Sequence, residues 1–390
     1  MISAEERAAS PTGQAPFVLL RDDLAGRELC FDAPHALIRA DRTEDVLPAL
    51  RRIDQARAAG KWCAGFVAYE AGFALDPKLL DHMPRDRATP LVLMGVFDAP
   101  LDRPVPAPRT SPAGLTDLHP GWRFDEYAPR FAQVHQHLRQ GDIYQANLTF
   151  PFTARWHGDP RALFDRMTAL QPVRYGALAA LDDGAVILSR SPELFFETSE
   201  DGWIETHPMK GTIRRGTTPN EDRALADTLA RDEKSQAENL MIVDLLRNDI
   251  SRISQVGSLH VPDLFAIESY PTVHQMVSRV RARLTPGTTL GDIFTALFPC
   301  GSITGAPKIR AMQILRGLEA RARGVYCGAI GFAAPSGHAR FNVAIRTLTL
   351  HPAGTAEFSV GGGLVFDSDV RSEYDECLLK ARFATDLVKS

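Results

Sequence analysis

Residues 325–360 read VYCGAIGFAAPSGHARFNVAIRTLTLHPAGTAEFSV. They contain three consecutive runs of β-branched, aromatic and small apolar residues, at 325–333, 339–350 and 357–360, separated by short segments rich in Pro, Gly and Ser. Strands that follow each other through short turns pair in the antiparallel sense. The stretch therefore predicts part of an antiparallel sheet.

Further strand candidates lie upstream of this stretch. They share apolar runs bounded by turn-forming residues, and they cover residues 62–69, 91–97, 144–152, 176–181, 185–188 and 194–198. Asp182, Asp183 and Gly184 separate two of these runs and are typical of a hairpin turn. The hairpin pattern again indicates antiparallel pairing.

Helical patterns are interposed between the strand candidates. In residues 125–141, apolar side chains recur at helical spacing between Asp125, which can cap a helix, and a glycine that can end it. Further helices are predicted at 232–253, from the proline at 307 onward, and at 371–388. Hairpins with interposed helices favour an α+β architecture over a doubly wound nucleotide-binding fold.

The composition is typical of a globular protein that acts on small molecules. Of 390 residues, 44% are apolar and 24% are charged, and the net charge is −4. No block of Lys or Arg stands out, so we expect neither nucleic acid nor a membrane surface as a partner. No apolar run approaches the ~18 residues of a membrane-spanning helix, and residues 1–15 lack the apolar core of a secretion signal. A cytoplasmic location is therefore predicted.

The five cysteines do not form a recognisable metal or redox motif. They are odd in number, widely spaced and without a C-x-x-C pair, so we expect reduced thiols packed as small apolar side chains. They are Cys30, Cys63, Cys300, Cys327 and Cys377.

Two glutamates in the last predicted helix form a candidate metal site. Glu373 and Glu376 are three residues apart, so their side chains lie on one helix face, where their charges repel. Either they belong to a solvated first turn that the helix dipole favours, or they bind a divalent cation, for which oxygen ligands indicate Mg²⁺. Glu238, in another predicted helix, is a third candidate, although taken alone it is typical of a surface glutamate.

Two glycine-rich segments do not match nucleotide-binding motifs. The glycines at 361–363 lack the G-x-G-x-x-G spacing and a helix in the required place. The segment 301–308 (GSITGAPK) is superficially similar to a phosphate loop, but Lys308 is separated from Gly305 and precedes Ile309 instead of Ser or Thr. Its N–H and hydroxyl donors, at a predicted helix N-terminus, suit a carboxylate.

Taken together, these segments resemble the chorismate-utilising enzymes, a family that includes the anthranilate, aminodeoxychorismate, isochorismate and salicylate synthases. Several long motifs occur in one order across residues 122–387, which is not expected by chance. They are GDIYQANL (141–148), SPE (191–193), PMKGT (208–212), ENLMIVDLLRND (238–249), PCGSITGAPK (299–308), RGVYCGAIGF (323–332), FNVAIRT (341–347) and VGGGLVFDSDVRSEYDE (360–376).

The resemblance implies a large sandwich of two antiparallel β-sheets flanked by helices. It also implies that residues 1–98, an N-terminal α/β region, are built into the same body as a chorismate-binding catalytic domain at 122–390. Between them, six prolines and the absence of hydrophobic periodicity predict a Pro-rich linker or loop at 99–121.

The resemblance further implies a metal and substrate site. Glu238, Glu373 and Glu376 would hold Mg²⁺, directly or through water, and the metal would bridge to the ring carboxylate of chorismate. The remaining residues would bind the substrate. Arg346, Tyr326, Gly362 and Gly363 would hold the enolpyruvyl carboxylate, and His274 and Ser302 would line the reacting face of the ring. For Tyr326 a core position, and for His274 a purely structural role, remain alternatives.

With Lys210 in the PMKGT motif, the sequence resembles the aminodeoxychorismate synthases, because anthranilate synthases usually have alanine at this position. An uncharged Lys210 amine would attack ring C2 while the C4 hydroxyl leaves with a proton from Glu193, and ammonia would then attack C4 and expel the lysine. The product would be 4-amino-4-deoxychorismate, on the route to 4-aminobenzoate and folate. Gln145 stands where isochorismate and salicylate synthases carry a lysine base, which disfavours addition of water.

The source of ammonia is implied by the family. No Cys-His glutaminase signature is visible, so a separate glutamine amidotransferase subunit is expected as a partner. Two alternatives remain open: an anthranilate synthase component I, which aminates C2 and eliminates pyruvate, and a non-catalytic chorismate-binding subunit. Two features depart from the family. Ser235 replaces an acidic residue of many relatives, and LLRD at 19–22 does not reproduce the tryptophan-binding segment of anthranilate synthases.

Overall fold

The computed structural model describes residues 16–270 and 273–388, so the prediction made for residues 1–15 lies outside the described residues. The strands are β1 (Phe17–Asp22), β2 (Arg27–Asp32), β3 (Ala36–Ala40), β4 (Trp62–Val67), β5 (Val92–Phe97), β6 (Leu101–Pro104), β7 (Ala113–Pro120), β8 (Gln145–Gly158), β9 (Tyr175–Ala180), β10 (Val186–Ser191), β11 (Leu194–Thr198), β12 (Trp203–Thr206), β13 (Met209–Arg214), β14 (His260–Ser269), β15 (Val273–Arg283), β16 (Gly305–Ala306), β17 (Ala329–Ala333), β18 (Ala339–Val343), β19 (Thr347–Leu350) and β20 (Thr355–Leu364). The α-helices are α1 (Val46–Ala58), α2 (Ala71–Ala74), α3 (Phe124–Gln140), α4 (Pro160–Leu170), α5 (Pro219–Ala230), α6 (Glu233–Ser251), α7 (Leu290–Leu297), α8 (Lys308–Glu319), α9 (Val370–Lys380) and α10 (Arg382–Thr385).

The strands form two antiparallel sheets. The first has the order β16-β8-β20-β19-β10-β9-β1-β2-β6, with β7 also paired to β8. The second has the order β13-β15-β12-β11-β18-β17-β4-β5-β3, with β14 also paired to β15. The α+β sandwich predicted from the sequence is therefore confirmed.

Three apolar cores hold the layers together. The central core contains residues of both sheets, such as Val18 and Ala177 from the first and Phe66 and Ile330 from the second. The outer face of the first sheet packs against α3, α4, α9 and α10, and the outer face of the second packs against α1, α6 and α7. Each sheet is thus covered on both faces, which buries the apolar runs seen in the sequence. No helix of the described part of the chain is long and apolar enough to cross a membrane.

The strand predicted at 339–350 is wrong as a single element. It is divided into β18, which belongs to the second sheet, and β19, which belongs to the first. The chain crosses between the sheets at 344–346, where Arg346 adopts a left-handed backbone with φ 51°. Because the apolar pattern continues through the crossing without Gly or Pro, sequence periodicity did not reveal it.

Residues 99–121, which we expected to form a Pro-rich linker or loop, instead contain two strands. β6 pairs with β2, and β7 pairs with β8. Both lie at the margins of the first sheet, where a missing proline N–H is tolerated. Each sheet also contains strands from the N-terminal region, because β1 pairs with β9 in the first sheet and β4 pairs with β17 in the second.

Several local predictions are confirmed. β11 has the predicted bounds, and α3 ends at Gly141, whose φ of 76° is the left-handed conformation of a C-terminal glycine. All five cysteines are free and buried. The last predicted helix is present as two helices, α9 and α10.

Candidate active site

The candidate site forms where β8 and β20 pair, beside β13. Gly363 lies opposite Asn147 in the strand ladder, and Gly362 is its neighbour in β20. A Cβ atom added to Gly363 would lie 2.8 Å from Gln145 Nε2 and 3.0 Å from Lys210 Nζ. Glycine at this position therefore leaves the space in which the Gln145 and Lys210 side chains meet.

The carboxylate of Glu373 reaches the same strand. A Cβ atom on Gly362 would lie 2.8 Å from Glu373 Oε2. Glu373 is buried near the start of α9, and Ser368 donates a hydrogen bond to its Oε1 at 2.7 Å. Burial raises the pKa of Glu373, and the charge of Glu376 adds to the increase. A buried carboxylate beside a second one is a position that a cation would stabilise.

Lys210 lies between Gly363 and Glu238. Its Nζ is 3.8 Å from Glu238 Oε2, and the side chain is 16% exposed. Glu238 is carried by α6, which packs against β13. Gly211, with φ 85°, allows this approach, because a Cβ there would meet Ser235 Oγ at 2.6 Å. Ser235, the departure noted in the sequence, therefore packs directly beside the strand that carries Lys210.

Glu193 is a buried acid that faces the cations of the site. Ser191 Oγ accepts a hydrogen bond from Glu193 N at 3.2 Å and donates one to Val343 O at 2.6 Å, which fixes the turn that carries the acid. Burial raises the pKa of Glu193 to about 7, against the opposing effects of a hydrogen bond from Ser302 and the charges of Lys210 and Arg346. The carboxyl group can thus be protonated at neutral pH, as a general acid must be.

Arg346 is an unpaired cation at the crossing between the sheets. Within residues 16–270 and 273–388, its guanidinium has no hydrogen bond and no ion pair. Burial lowers the pKa of Arg346 to about 10, although the charge of Glu193 opposes this effect. Arg346 is half-buried, and a partly desolvated cation without a protein partner favours an anionic ligand.

Gln145 is the residue that sequence reasoning used only to exclude water addition. Its side chain is fully buried, and neither Oε1 nor Nε2 has a hydrogen-bond partner among the described residues. Both atoms are therefore available to a ligand. The motif GDIYQANL was the only signal in the sequence, and it did not show that this amide lacks a partner.

The three proposed metal ligands are near each other but do not form a preformed cage. Glu376 Oε1 is 2.8 Å from Lys380 Nζ, and Glu238 Oε1 is 4.0 Å from Lys234 Nζ. Burial would raise the pKa of Glu376, but the charges of Lys380, Lys210 and Lys234 lower it overall. Among the described residues, no group of three or more His, Cys, Asp or Glu is arranged to hold a metal. The Mg²⁺ site stays a prediction.

Two predicted substrate contacts are not joined to this cluster. His274 has Ser269 Oγ at 2.8 Å from Nδ1 and Asp222 Oδ1 at 2.9 Å from Nε2, so both ring nitrogens have protein partners. This arrangement is consistent with the structural role left open above, and the contact of His274 with the substrate stays a prediction. Tyr326 is buried in the core of the second sheet, and burial raises its pKa. No hydrogen bond in the described structure joins Tyr326 to Arg346.

The remaining predicted residues come together. Lys210, Glu193, Ser302, Arg346, Gly362, Gly363, Glu238, Glu373 and Glu376 are linked by the contacts and electrostatic interactions above. A profile described as "chorismate binding enzyme" matches residues 15–386. The chain belongs to the chorismate binding enzyme family.

Individual family members are similar over most of this chain. Aminodeoxychorismate synthase component 1 of Klebsiella aerogenes is 43% identical over 273 residues, which cover 69% of this chain and 60% of the relative. Anthranilate synthase component 1 1 of Haloarcula marismortui is 41% identical over 264 residues, covering 68% of this chain and 53% of the relative. These matches span a little over half the length of the two relatives.

A solved structure from the family has the same architecture. Anthranilate synthase component I from Streptococcus pneumoniae TIGR4 aligns with a TM-score of 0.79 at 26% identity, over 94% of this chain and 92% of the other. This chain thus shares the two-sheet sandwich with that anthranilate synthase component I.

Proposed function

We propose that this chain aminates chorismate at C4 with ammonia and yields 4-amino-4-deoxychorismate, the precursor of 4-aminobenzoate. One observation carries the proposal. The Lys210 amine lies in the site, against Gly363 and 3.8 Å from Glu238, and its charge lowers the pKa of the acid Glu193. An amine and a protonatable acid in one site can form a covalent intermediate and protonate a leaving group.

The proposed chemistry has two displacements. In the first, Lys210 Nζ bonds to ring C2, the ring double bond shifts, and the C4–O bond breaks. Glu193 supplies the proton with which the hydroxyl leaves as water. In the second, ammonia bonds to C4, the double bond shifts back, and the C2–N bond to Lys210 breaks, which releases the neutral lysine amine. The new ammonium group at C4 then returns a proton to the Glu193 carboxylate. The net change is exchange of the C4 hydroxyl for an amino group, and the enolpyruvyl group stays intact.

The substrate carries two carboxylates, and the protein side chains offer a place for the one on the enolpyruvyl group. Arg346 is half-buried and has no side-chain partner among the described residues, which suits the enolpyruvyl carboxylate. The backbone N–H groups of Gly362 and Gly363 in β20 would also donate hydrogen bonds to this carboxylate. Gln145, with both amide atoms unpartnered, would bind a polar group of the ring or the incoming ammonia.

The donor set fits Mg²⁺ in its chemistry. Glu238, Glu373 and Glu376 present hard carboxylate oxygens, and burial together with mutual repulsion raises the pKa of Glu373, which a cation would relieve. Mg²⁺ usually keeps several waters and uses only one or two carboxylates with substrate oxygens, so a preformed cage is not required. When bound, the ion would polarise the ring carboxylate as a Lewis acid. Lys234 lies beside Glu238 and Lys380 beside Glu376, so both contribute positive charge to this cluster of carboxylates.

The alternative activity is that of an anthranilate synthase component I. The Haloarcula marismortui relative carries that name at a similar identity. Lys210 favours C4 amination, because a lysine bonded to C2 blocks amination there. Product analysis separates the two, since the alternative releases pyruvate and fluorescent anthranilate.

The deciding experiment incubates the purified chain with chorismate, Mg²⁺ and an ammonium salt, and identifies the products by mass. We expect 4-amino-4-deoxychorismate without pyruvate. Anthranilate with pyruvate would replace the proposal by the alternative, and chorismate binding without turnover would indicate a non-catalytic subunit. Omission of Mg²⁺, with a chelator added, tests the metal in the same assay.

We also propose that a separate glutamine amidotransferase supplies the ammonia in the cell. The name "component 1" of the Klebsiella aerogenes relative supports a partner component for that protein. We expect glutamine to support turnover only when such a subunit is added. Full glutamine-dependent activity of the purified chain alone would reject the partner.

A further inference from the structure

Arg323 is a buried arginine that does not touch the cluster of reactive residues. Its Nη1 donates a hydrogen bond to Ile303 O at 3.0 Å, and its Nη2 donates one to Asn147 O at 2.8 Å. Glu319 accepts from Nε at 2.9 Å and from Nη2 at 2.7 Å. One guanidinium group therefore joins three separate segments of the chain.

Two of these segments carry residues of the site. Ile303 is the residue after Ser302, whose side chain lowers the pKa of Glu193. Asn147 lies opposite Gly363 in the strand ladder and is two residues from Gln145. Asn147 N also donates to Thr304 O at 2.9 Å, so the two segments meet directly at the point where Arg323 contacts both.

Arg323 is itself held rigidly. Glu319 Oε1 also accepts Thr149 N at 3.0 Å, and the guanidinium carbon lies 4.4 Å from the ring centroid of Tyr69. The Glu70 carboxylate accepts Arg323 N at 2.6 Å and Gly324 N at 3.0 Å. The side chain therefore has one available geometry, and a displacement of it would be transmitted to both segments.

We infer that Arg323 is a positioning residue, which sets the place of Ser302 relative to Glu193 and of Gln145 relative to Gly363. The inference rests on the proposed function only for its effect on turnover. The displacement of Ser302 has a second consequence, because the Ser302 hydroxyl stabilises the charged form of Glu193. A looser Ser302 must raise the pKa of that acid.

Arginine is required here because of its shape. The planar guanidinium presents donors in several fixed directions, whereas a lysine ammonium is a compact charge on a flexible stem. Lysine at 323 would keep the charge beside Glu319 but would not reach Ile303 O and Asn147 O together. Arg323→Lys is thus a selective test of positioning.

The test measures the titration of Glu193 in the ligand-free protein by infrared spectroscopy of the protonated carboxyl band. The spectrum of Glu193→Gln in the same background is subtracted from each spectrum. This subtraction removes the signal of Glu70, another carboxyl group whose pKa burial raises to about 7. We expect Arg323→Lys to raise the Glu193 midpoint by up to about 1 pH unit, the effect of losing a hydrogen bond to a charged group. With ammonia, kcat should fall by about 10-fold or more, because small misplacements of reacting groups are costly.

Arg21→Lys is the matched control. Arg21 is equally buried and ion-paired to Glu28 and Asp165, but it contacts neither Ile303 nor Asn147. It should leave the Glu193 midpoint in place. A midpoint that stays unchanged in folded Arg323→Lys, or that moves equally in Arg21→Lys, would overturn the inference. If Arg323→Lys does not fold, Glu319→Gln replaces it, with the same expected direction and the same contradicting result. Because the titration requires no turnover, it also remains decisive if the proposed function fails.

Discussion

Two regions, one around the buried Arg323 and one around the half-buried Arg346, differ in how their charges are paired. The Arg323 guanidinium has acceptors in Glu319, Ile303 O and Asn147 O. The Arg346 guanidinium has none in the described structure, and neither has the amide of Gln145. Buried polar groups are normally paired, because an unpaired one costs about 1–3 kcal/mol. The region around Arg323 is therefore fixed by its own hydrogen bonds, whereas the region around Arg346 has polar groups that are available to a ligand.

Two buried acids extend this comparison. Burial raises the pKa of both Glu70 and Glu193 to about 7. Glu70 accepts backbone N–H groups of Arg323 and Gly324, so its charge has a structural use. Glu193 instead faces Ser302, Lys210 and Arg346. A perturbed pKa alone does not identify a functional acid, whereas its partners do.

The largest expected effect comes from removing the proposed nucleophile. Lys210→Ala should lower ammonia-dependent turnover by about 10³-fold or more and change the Kd of chorismate by only a few-fold, because the amine acts in the chemical step. Steady-state kinetics and calorimetric binding measure the two quantities. Lys234→Ala is the matched control, since Lys234 also lies near Glu238 but is 65% exposed. Equal losses in both variants would show a charge effect on Glu238 instead of nucleophilic catalysis.

The second effect concerns the acid and its pH dependence. Glu193→Gln should lower kcat by about 10²-fold, in the usual range for general acid catalysis. In the wild type, activity at a constant concentration of uncharged ammonia should fall as the pH rises through about 7, because the proton is lost from Glu193. This decline should be absent in Glu193→Gln and present in Glu70→Gln. A decline that persists in Glu193→Gln would assign it to another group.

The third pair of effects separates the two arginines by their roles. Arg323→Met should destabilise the protein by about 3–5 kcal/mol, because it leaves Glu319 buried without its partner. Arg346→Met should not reduce stability in the ligand-free state, because no partner is lost, but should weaken chorismate binding by roughly 10- to 100-fold. Chemical denaturation and calorimetric binding compare the pair. Similar stability losses in both variants would contradict the distinction between the two regions.

The sequence alone determined several elements and most of the residues of the candidate site. The apolar run at β11 and the glycine that ends α3 were predicted correctly, because these signals are local. The i, i+3 spacing placed Glu373 and Glu376 on one helix face, and the motifs around Lys210 and Glu193 identified residues that the fold brings together. Their chemistry is visible in residue type and spacing.

Only the tertiary structure decided which groups have partners. It divided residues 339–350 between two sheets and placed Arg346 at the crossing, paired β6 and β7 where prolines indicated a loop, and gave both nitrogens of His274 to Ser269 and Asp222. It also left Gln145 without a partner and gave Arg323 three. A hydrogen bond between distant segments leaves no periodic trace in a sequence, because it depends on which strands become neighbours.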